Sequence, residues 1–478
     1  MPSTIQKTQS AEVGKIYPNQ EELADIILEK MEEKLIGLIV MEMQSGKTGV
    51  YFRAAEKIVV AGGEALVVTA HSSKEWKDQT QERAPPQLRD CILHRPDLER
   101  DKFVEKIKGK KNLVIFVDEV QIACAENQTL CKAFHDAHLF DIEHLAKNNI
   151  KIIQFSATPN GTFYDISNNV DNIGFIKVCK PDVGYTGVEQ LLAQGRIKQA
   201  ASFSEEDNEC FEHLHEELSK YPSPKYHFVR LHRGENFERL VSRFCAEFPD
   251  VNYVLYTQEG LTSKQLDELL KYEPDLHTFI FIKERARCAK TFPCKKYIGV
   301  MYERCSKITC DDVAVQGLLG RACTYNDPGH SVIYTNLESV HKFLKLKETD
   351  FEDPDIQWKS NSTYRDIEGL NDSKGTLNGL FADNNYEGVQ KIDFVEFKSF
   401  EDAYEWHKEK YPGSRRFNKT KKRNGYYNGG SAFKYKIVNR NDIILDKVLL
   451  KNQVCQLIRC YTDTKNPDTL IYLICYKN

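Results

Sequence analysis

Short continuous apolar runs alternate along most of this chain with stretches whose apolar residues recur every three or four positions. Leu113–Val117 and the stretch from Ala65 to Val68 lack any polar alternation, the mark of strands buried on both faces of a parallel sheet, and Ile150–Phe155 reads as another strand. Between them, Glu21 to Lys34 places Leu23, Ile26, Ile27 and Met31 on one helical face. A second series begins after Tyr221-Pro222-Ser223-Pro224. There Tyr226–Leu231, Asn252–Thr257, Thr278–Ile282 and Tyr297–Tyr302 read as strands, with amphipathic helices at Asn236–Phe248 and Ser263–Lys271. Strands alternating with helices in two series imply two α/β domains with parallel sheets.

Beyond His341 the pattern changes. Lys347 to Asn385 is rich in Asp, Asn, Gly and Ser and reads as a linker. The tail then carries strand-like segments at Phe433–Val438, Val454–Tyr461 and Leu470–Tyr476, with a turn at Asn466-Pro467-Asp468. The expected division is 1–190, a first α/β domain; 191–225, a linker; 226–345, a second α/β domain; 346–400, a polar linker; and 401–478, a small, β-rich accessory region.

The carboxyl ends of the apolar runs carry the candidate chemistry. Ile39, Val40 and Met41 lead into Glu42-Met43-Gln44-Ser45-Gly46-Lys47-Thr48, a strand, tight loop and helix start of the kind whose backbone N–H groups cradle a polyphosphate. In that arrangement Ser45 and Gly46 shape the loop, Lys47 reaches the β- and γ-phosphates, and Thr48 offers its hydroxyl to Mg²⁺. The full pattern wants glycine where Met41 stands. Leu113–Val117 delivers Asp118-Glu119-Val120-Gln121, in which Asp118 can share the metal and Glu119 can orient or deprotonate water. Upstream, the Gln20 amide offers a donor and an acceptor to an adenine edge, or serves only as a polar helix-start residue. After Ala70, Ser72 pairs with Glu75 as a capping box, at a helix start where a nucleic-acid phosphate also fits.

Gln20, Gly46-Lys47-Thr48, Asp118-Glu119-Val120-Gln121 and Ser156-Ala157-Thr158, in that order, resemble the first motor domain of superfamily 2 helicases and translocases. The Met-Glu-Met lead-in and the Asp-Glu-x-Gln form resemble the viral and phage branch more than the DEAD-box RNA helicases. The resemblance covers roughly residues 15 to 335. It implies two RecA-like domains in tandem, ATP and Mg²⁺ as cofactors, and nucleic acid as partner, with DNA placed ahead of RNA. It also implies that Ser156-Ala157-Thr158 couples hydrolysis to movement. Asp311 to Ala322 resembles the last helicase motif, whose Gly320-Arg321 pair would face the nucleotide. Gly317 and Thr324 stand where that family has glutamine and a second arginine. The cation completing the site is therefore Arg321, the favoured reading, or Arg287 or Lys290 from the neighbouring loop, or none, in which case hydrolysis is slow. Activities open at this level are unwinding, translocation on duplex DNA without strand separation, and an ATP-switched clamp with little hydrolysis.

Composition refines this picture modestly. Among 478 residues, 41% are hydrophobic and 28% charged, as in globular proteins. The net charge of −4 requires any nucleic-acid surface to be a local one. Arg285, Arg287 and Lys290 form one such basic loop, gripping phosphate or simply solvated. Arg415, Arg416, Lys421 and Lys422 lie among Trp406, Tyr411, Phe417, Tyr426 and Tyr427, a mixture that suits stacking on bases and pairing with phosphates. Fourteen cysteines without any Cys-x-x-Cys spacing are expected to be free thiols in a reducing compartment. With no apolar leader or bilayer-length run, a soluble intracellular location is expected: host cytoplasm or nucleus, if viral.

Overall fold

The computed structural model describes residues 16–359, except 73, 100, 121–127, 160–172, 204–207, 232–235, 284, 286–289, 293, 305–309, 354–355 and 357; further on it describes 392–410, 440–441, 455–463 and 466–477. The chain divides into two compact units, Met1–Asn384 and Asn385–Asn478.

In the first unit, six parallel strands form the sheet that carries the phosphate-loop segment. They are β1 (Ile36–Met41), β2 (Glu64–Val68), β3 (Ile92–Leu93), β4 (Leu113–Asp118), β5 (Ile150–Ser156) and β6 (Gly174–Cys179), in the order β3-β2-β4-β5-β1-β6. Residues at β1 and β4 are buried without interruption, which is why these runs show no polar alternation. The two faces still differ. Ile36, Leu38 and Val40 join a cluster that includes Phe228 and Ile280 of the second sheet, whereas Ile39 and Met41 pack with Leu23, Ile27 and Val50 of the helices Pro18–Glu33 and Lys47–Val60.

The second sheet is also six-stranded. After a two-residue strand β7 (Tyr185–Thr186) come β8 (Ile197–Gln199), β9 (Tyr226–Arg230), β10 (Asn252–Tyr256), β11 (Thr278–Ile282) and β12 (Ile298–Tyr302). A second short strand, β13 (Thr324–Tyr325), precedes β14 (Val332–Thr335). The order is β10-β11-β9-β12-β14-β8, with every pairing parallel, while β7 and β13 form a separate antiparallel ribbon.

Here the expected linker 191–225 needs correction. It contributes the edge strand β8 and the helix Glu209–Lys220, which buries Cys210, Phe211 and Leu214. A three-residue edge strand is too short to show a period. Likewise the helix Leu337–Glu348 runs past residue 345, Trp358 is buried, and a strand begins within the stretch 346–400.

That strand, β15 (Ile392–Phe397), belongs to the second unit. It pairs with β17 (Leu470–Lys477), which pairs in turn with β16 (Cys455–Tyr461), giving an antiparallel sheet of order β15-β17-β16. The helix Phe400–Lys410 packs Phe400 and Ala403 on Ile474. Pro467–Thr469 turns between β16 and β17, with the Asn466 side chain accepting from the Asp468 N–H. The expected strand Phe433–Val438 lies outside the described residues. No helix among the described residues is long and apolar enough to cross a membrane.

Candidate active site

Open parallel sheets place ligands beyond the carboxyl ends of their strands. Strand order puts β5 between β1 and β4, so the phosphate-loop segment, Ser156-Ala157-Thr158 and Asp118-Glu119 emerge side by side at one sheet edge.

The loop itself depends on backbone that ordinary residues avoid. Gly46 has φ of 108°, and the helix Lys47–Val60 starts directly after it. Gly46 and Gly49 also make room for Gln20. A Cβ at either would lie 2.7 Å or 2.3 Å from the Gln20 amide nitrogen. Gln20 Nε2 donates to the Gly46 carbonyl at 3.0 Å, and its Oε1 accepts from the Tyr17 N–H at 2.9 Å. The amide thus holds the loop, engaging the groups that the adenine-reading role would use.

Lys47 and the acidic pair face each other. Lys47 Nζ lies 4.0 Å from Glu119 Oε1 and within 3.5 Å of the carbonyls of Met41 and Glu42. Glu119 is nearly buried and has φ of 53°, a left-handed conformation that a non-glycine residue keeps only where its surroundings impose it. Asp118 accepts from Trp76 Nε1 at 3.0 Å. Burial, and then the Glu119 carboxylate, push the Asp118 carboxyl up to about 6. Tyr51 is fully buried on the loop helix. Its hydroxyl pKa is raised chiefly by burial and next by Asp118, with the Thr48 hydroxyl acting in the opposite sense. Ser45 is buried, its hydroxyl donating to the Glu42 carbonyl at 2.7 Å.

The second sheet grips the other side of the same loop. Gln44 Nε2 donates to the Gly320 carbonyl at 2.9 Å, Lys295 Nζ to Gln44 Oε1 at 3.3 Å, and Tyr325 to the Ser45 carbonyl at 3.5 Å. The Tyr185 hydroxyl donates to the Met43 carbonyl, and Lys347 pairs with Glu42 at 2.8 Å. Gly320 is required by close approach to the protein itself. A Cβ there would stand 3.1 Å from the Met43 side chain. Ser156-Ala157-Thr158 reaches across as well: Gln316 Nε2 donates to the Thr158 hydroxyl at 2.7 Å, and that hydroxyl donates to Asp312 at 2.9 Å.

Strand order, loop and acidic pair together decide the architecture. These are two RecA-like parallel-sheet domains in tandem. No protein-family model matches the chain. An uncharacterized protein of Acanthamoeba polyphaga mimivirus is 22% identical over 337 residues, 66% of this chain and 83% of its own length. Among solved structures, the DEAD-box helicase Mss116 bound to ssRNA and UDP-BeF is similar at 15% identity and a TM-score of 0.47, covering 76% of this chain and 77% of that one. The DNA-bound type ISP restriction-modification enzyme LlaBIII, also at TM-score 0.47 and 11% identity, covers 79% of this chain, which spans 33% of that enzyme.

Not every expected site residue lies at the phosphate loop. Lys290 is buried, with Nζ 2.5 Å from Asp267 Oδ1 and 2.7 Å from the Ser263 hydroxyl. Its ammonium is committed to these two partners, because a buried cation is stable only when paired. Arg321 is buried too, and its Nη1 donates to the Lys290 carbonyl at 2.7 Å. Arg285 is half-buried, donating to the Leu261 carbonyl at 3.1 Å with its guanidinium over the Tyr256 ring. Ser72 is exposed beyond β2, two residues before the helix Lys74–Arg83 begins. Arg287, Arg415, Arg416, Lys421 and Lys422 lie outside the described residues.

Three contributors escaped the sequence reading. Trp76 is the lone large apolar residue of Lys74–Arg83, and that contrast is a legible signal. Gln44 and Lys295 carry no comparable mark.

Proposed function

We propose that this chain is an ATP hydrolase of helicase or translocase type, coupling Mg-ATP hydrolysis to movement on nucleic acid. The observation that carries the reading is the 4.0 Å approach of Lys47 Nζ to Glu119, at the ends of β1 and β4, with Asp118 held beside them by Trp76. The donor set fits a magnesium-bound nucleoside triphosphate. The loop turns on a left-handed glycine at a helix start, a cationic side chain lies in it, and Thr48 and Asp118 supply hard oxygen donors suited to Mg²⁺. When bound, the metal would neutralise phosphate charge. For this chain's own groups, Lys47 binds the phosphates, Glu119 orients water and receives its proton, and Arg321 supplies charge from the second domain.

Glu119→Gln separates these roles from a merely structural ion pair. It should bind ATP normally and lose turnover, whereas Lys47→Ala should lose affinity. Near-normal turnover in Glu119→Gln would sink the assignment. Titrating ATPase activity with single-stranded DNA, duplex DNA and RNA then identifies the nucleic acid and tests the expectation of DNA over RNA. The clamp reading is favoured by one observation, the commitment of Arg321 Nη1 to the Lys290 carbonyl. Turnover that nucleic acid fails to stimulate would support the clamp.

A further inference from the structure

Lys295 is buried at the seam between the two sheets, and its three N–H donors have three acceptors. These are the Cys323 carbonyl at 2.7 Å, Gln44 Oε1 at 3.3 Å and the Ala322 carbonyl at 3.4 Å. Gln44 completes the circuit by donating to the Gly320 carbonyl at 2.9 Å. Two side chains thus tie the phosphate loop to the backbone on both sides of Arg321. Gln44 keeps this long amide at φ of 55°, a region costing a non-glycine residue about 1 kcal/mol or more. Glycine would relieve that cost, yet could make neither contact.

We propose that Gln44 and Lys295 form a latch between the phosphate loop and the arginine segment, positioning Arg321 according to the loop's conformation. The inference rests on the ATP-hydrolase reading above and adds a positioning pair to it. Entry of a polyphosphate reshapes the loop's N–H groups; the Gln44 side chain carries that change to Gly320 directly and to Ala322 and Cys323 through Lys295. The ammonium form is required. A neutral amine has two donors for three acceptors and turns a lone pair toward a carbonyl. Burial lowers the Lys295 pKa to about 7; the Cys323 thiol opposes this shift, Arg321 reinforces it and Asp327 opposes it. The latch is therefore closed below about pH 7 and opens as pH rises.

The test uses the full chain and its Lys295→Met, Lys295→Arg, Gln44→Gly and Lys295→Met/Gln44→Gly variants. Three quantities are measured: kcat for ATP, direct binding of β,γ-imido-ATP, and amide exchange over Leu318–Cys323 with and without that analogue. Lys295→Met and Gln44→Gly should each lower kcat at least about tenfold, with the double variant no worse than the weaker single one. Analogue affinity should stay within about threefold in Lys295→Met. Analogue-induced protection of Leu318–Cys323 should be present in the parent and absent in both single variants. The parent kcat should fall on the alkaline side through about pH 7, and Lys295→Arg should restore turnover and flatten that limb. Gln44→Gly leaves the buried lysine in place, so it tests the latch even where Lys295→Met fails to fold. Unchanged kcat, multiplying losses in the double variant, or protection that survives in both single variants would each overturn the latch. An active Glu119→Gln chain would instead overturn the hydrolase reading, leaving the exchange measurement to judge the latch alone.

Discussion

Glu303→Gln is predicted to be among the most destabilising isosteric changes in the second sheet. Glu303 and Arg230 are 1% and 5% exposed, and Arg230 Nε lies 2.7 Å from Glu303 Oε1. At that separation and an effective dielectric near 20, their gross attraction is about 6 kcal/mol, opposing several kcal/mol of desolvation per ion. Glu303 also accepts from the Arg304 N–H at 3.2 Å and the Leu318 N–H at 3.1 Å, so it holds the start of the arginine segment. Glutamine keeps the shape but leaves the guanidinium uncompensated, which costs about 3–5 kcal/mol. A loss of ~4 kcal/mol should lower Tm by about 12 °C if a ~160-residue second sheet melts alone. If residues 1–384 melt together, the fall should be about 5 °C. The assay is thermal denaturation of the single variants Glu303→Gln and Arg230→Met and of their double variant. Removing both charges should recover at least about 2 kcal/mol relative to the sum of the singles. Additivity within ~0.5 kcal/mol would refute the reasoning, because the pair would then not be coupled.

Asp118→Asn should raise the apo protein's stability at pH 7 by on the order of 1–2 kcal/mol while abolishing hydrolysis, since the folded state disfavours the Asp118 anion. A folded carboxyl pKa raised to about 6 means that acidification from pH 7 relieves this cost, so the advantage should shrink toward pH 5; melting curves at both pH values check the sign. Gly46→Ala should destabilise the loop by at least about 1–2 kcal/mol through its left-handed φ and its clash with Gln20, and isothermal titration should show lost ATP affinity. Arg321→Ala should cut nucleic-acid-stimulated kcat at least ~10²-fold with ATP affinity nearly unchanged. If Arg287→Ala did that instead, the finger would belong to the neighbouring loop.

Local chemistry made much of this protein legible in its sequence. The uninterrupted apolar run Leu113–Val117 and the mostly apolar Ile150–Phe155, which contains Lys151 and Gln154, become buried parallel strands because their faces are covered, and a strand's carboxyl end is where its loop must emerge. The placement of Gly46-Lys47-Thr48 and Asp118-Glu119 on one edge follows from those facts plus strand order. What the tertiary structure alone decided are partnerships across long stretches of chain. Gln44 meets Gly320 over a separation of 276 residues and Lys295 over 251. Lys290, legible in sequence as a phosphate-gripping or a solvated cation, has Asp267 2.5 Å away, and Gln20, legible as a base-reading or a helix-start amide, donates to the Gly46 carbonyl. Residue type sets how many hydrogen bonds a side chain can make. Which partners satisfy them depends on packing between segments that share no period and no spacing, and that packing is settled only when the two sheets close on each other.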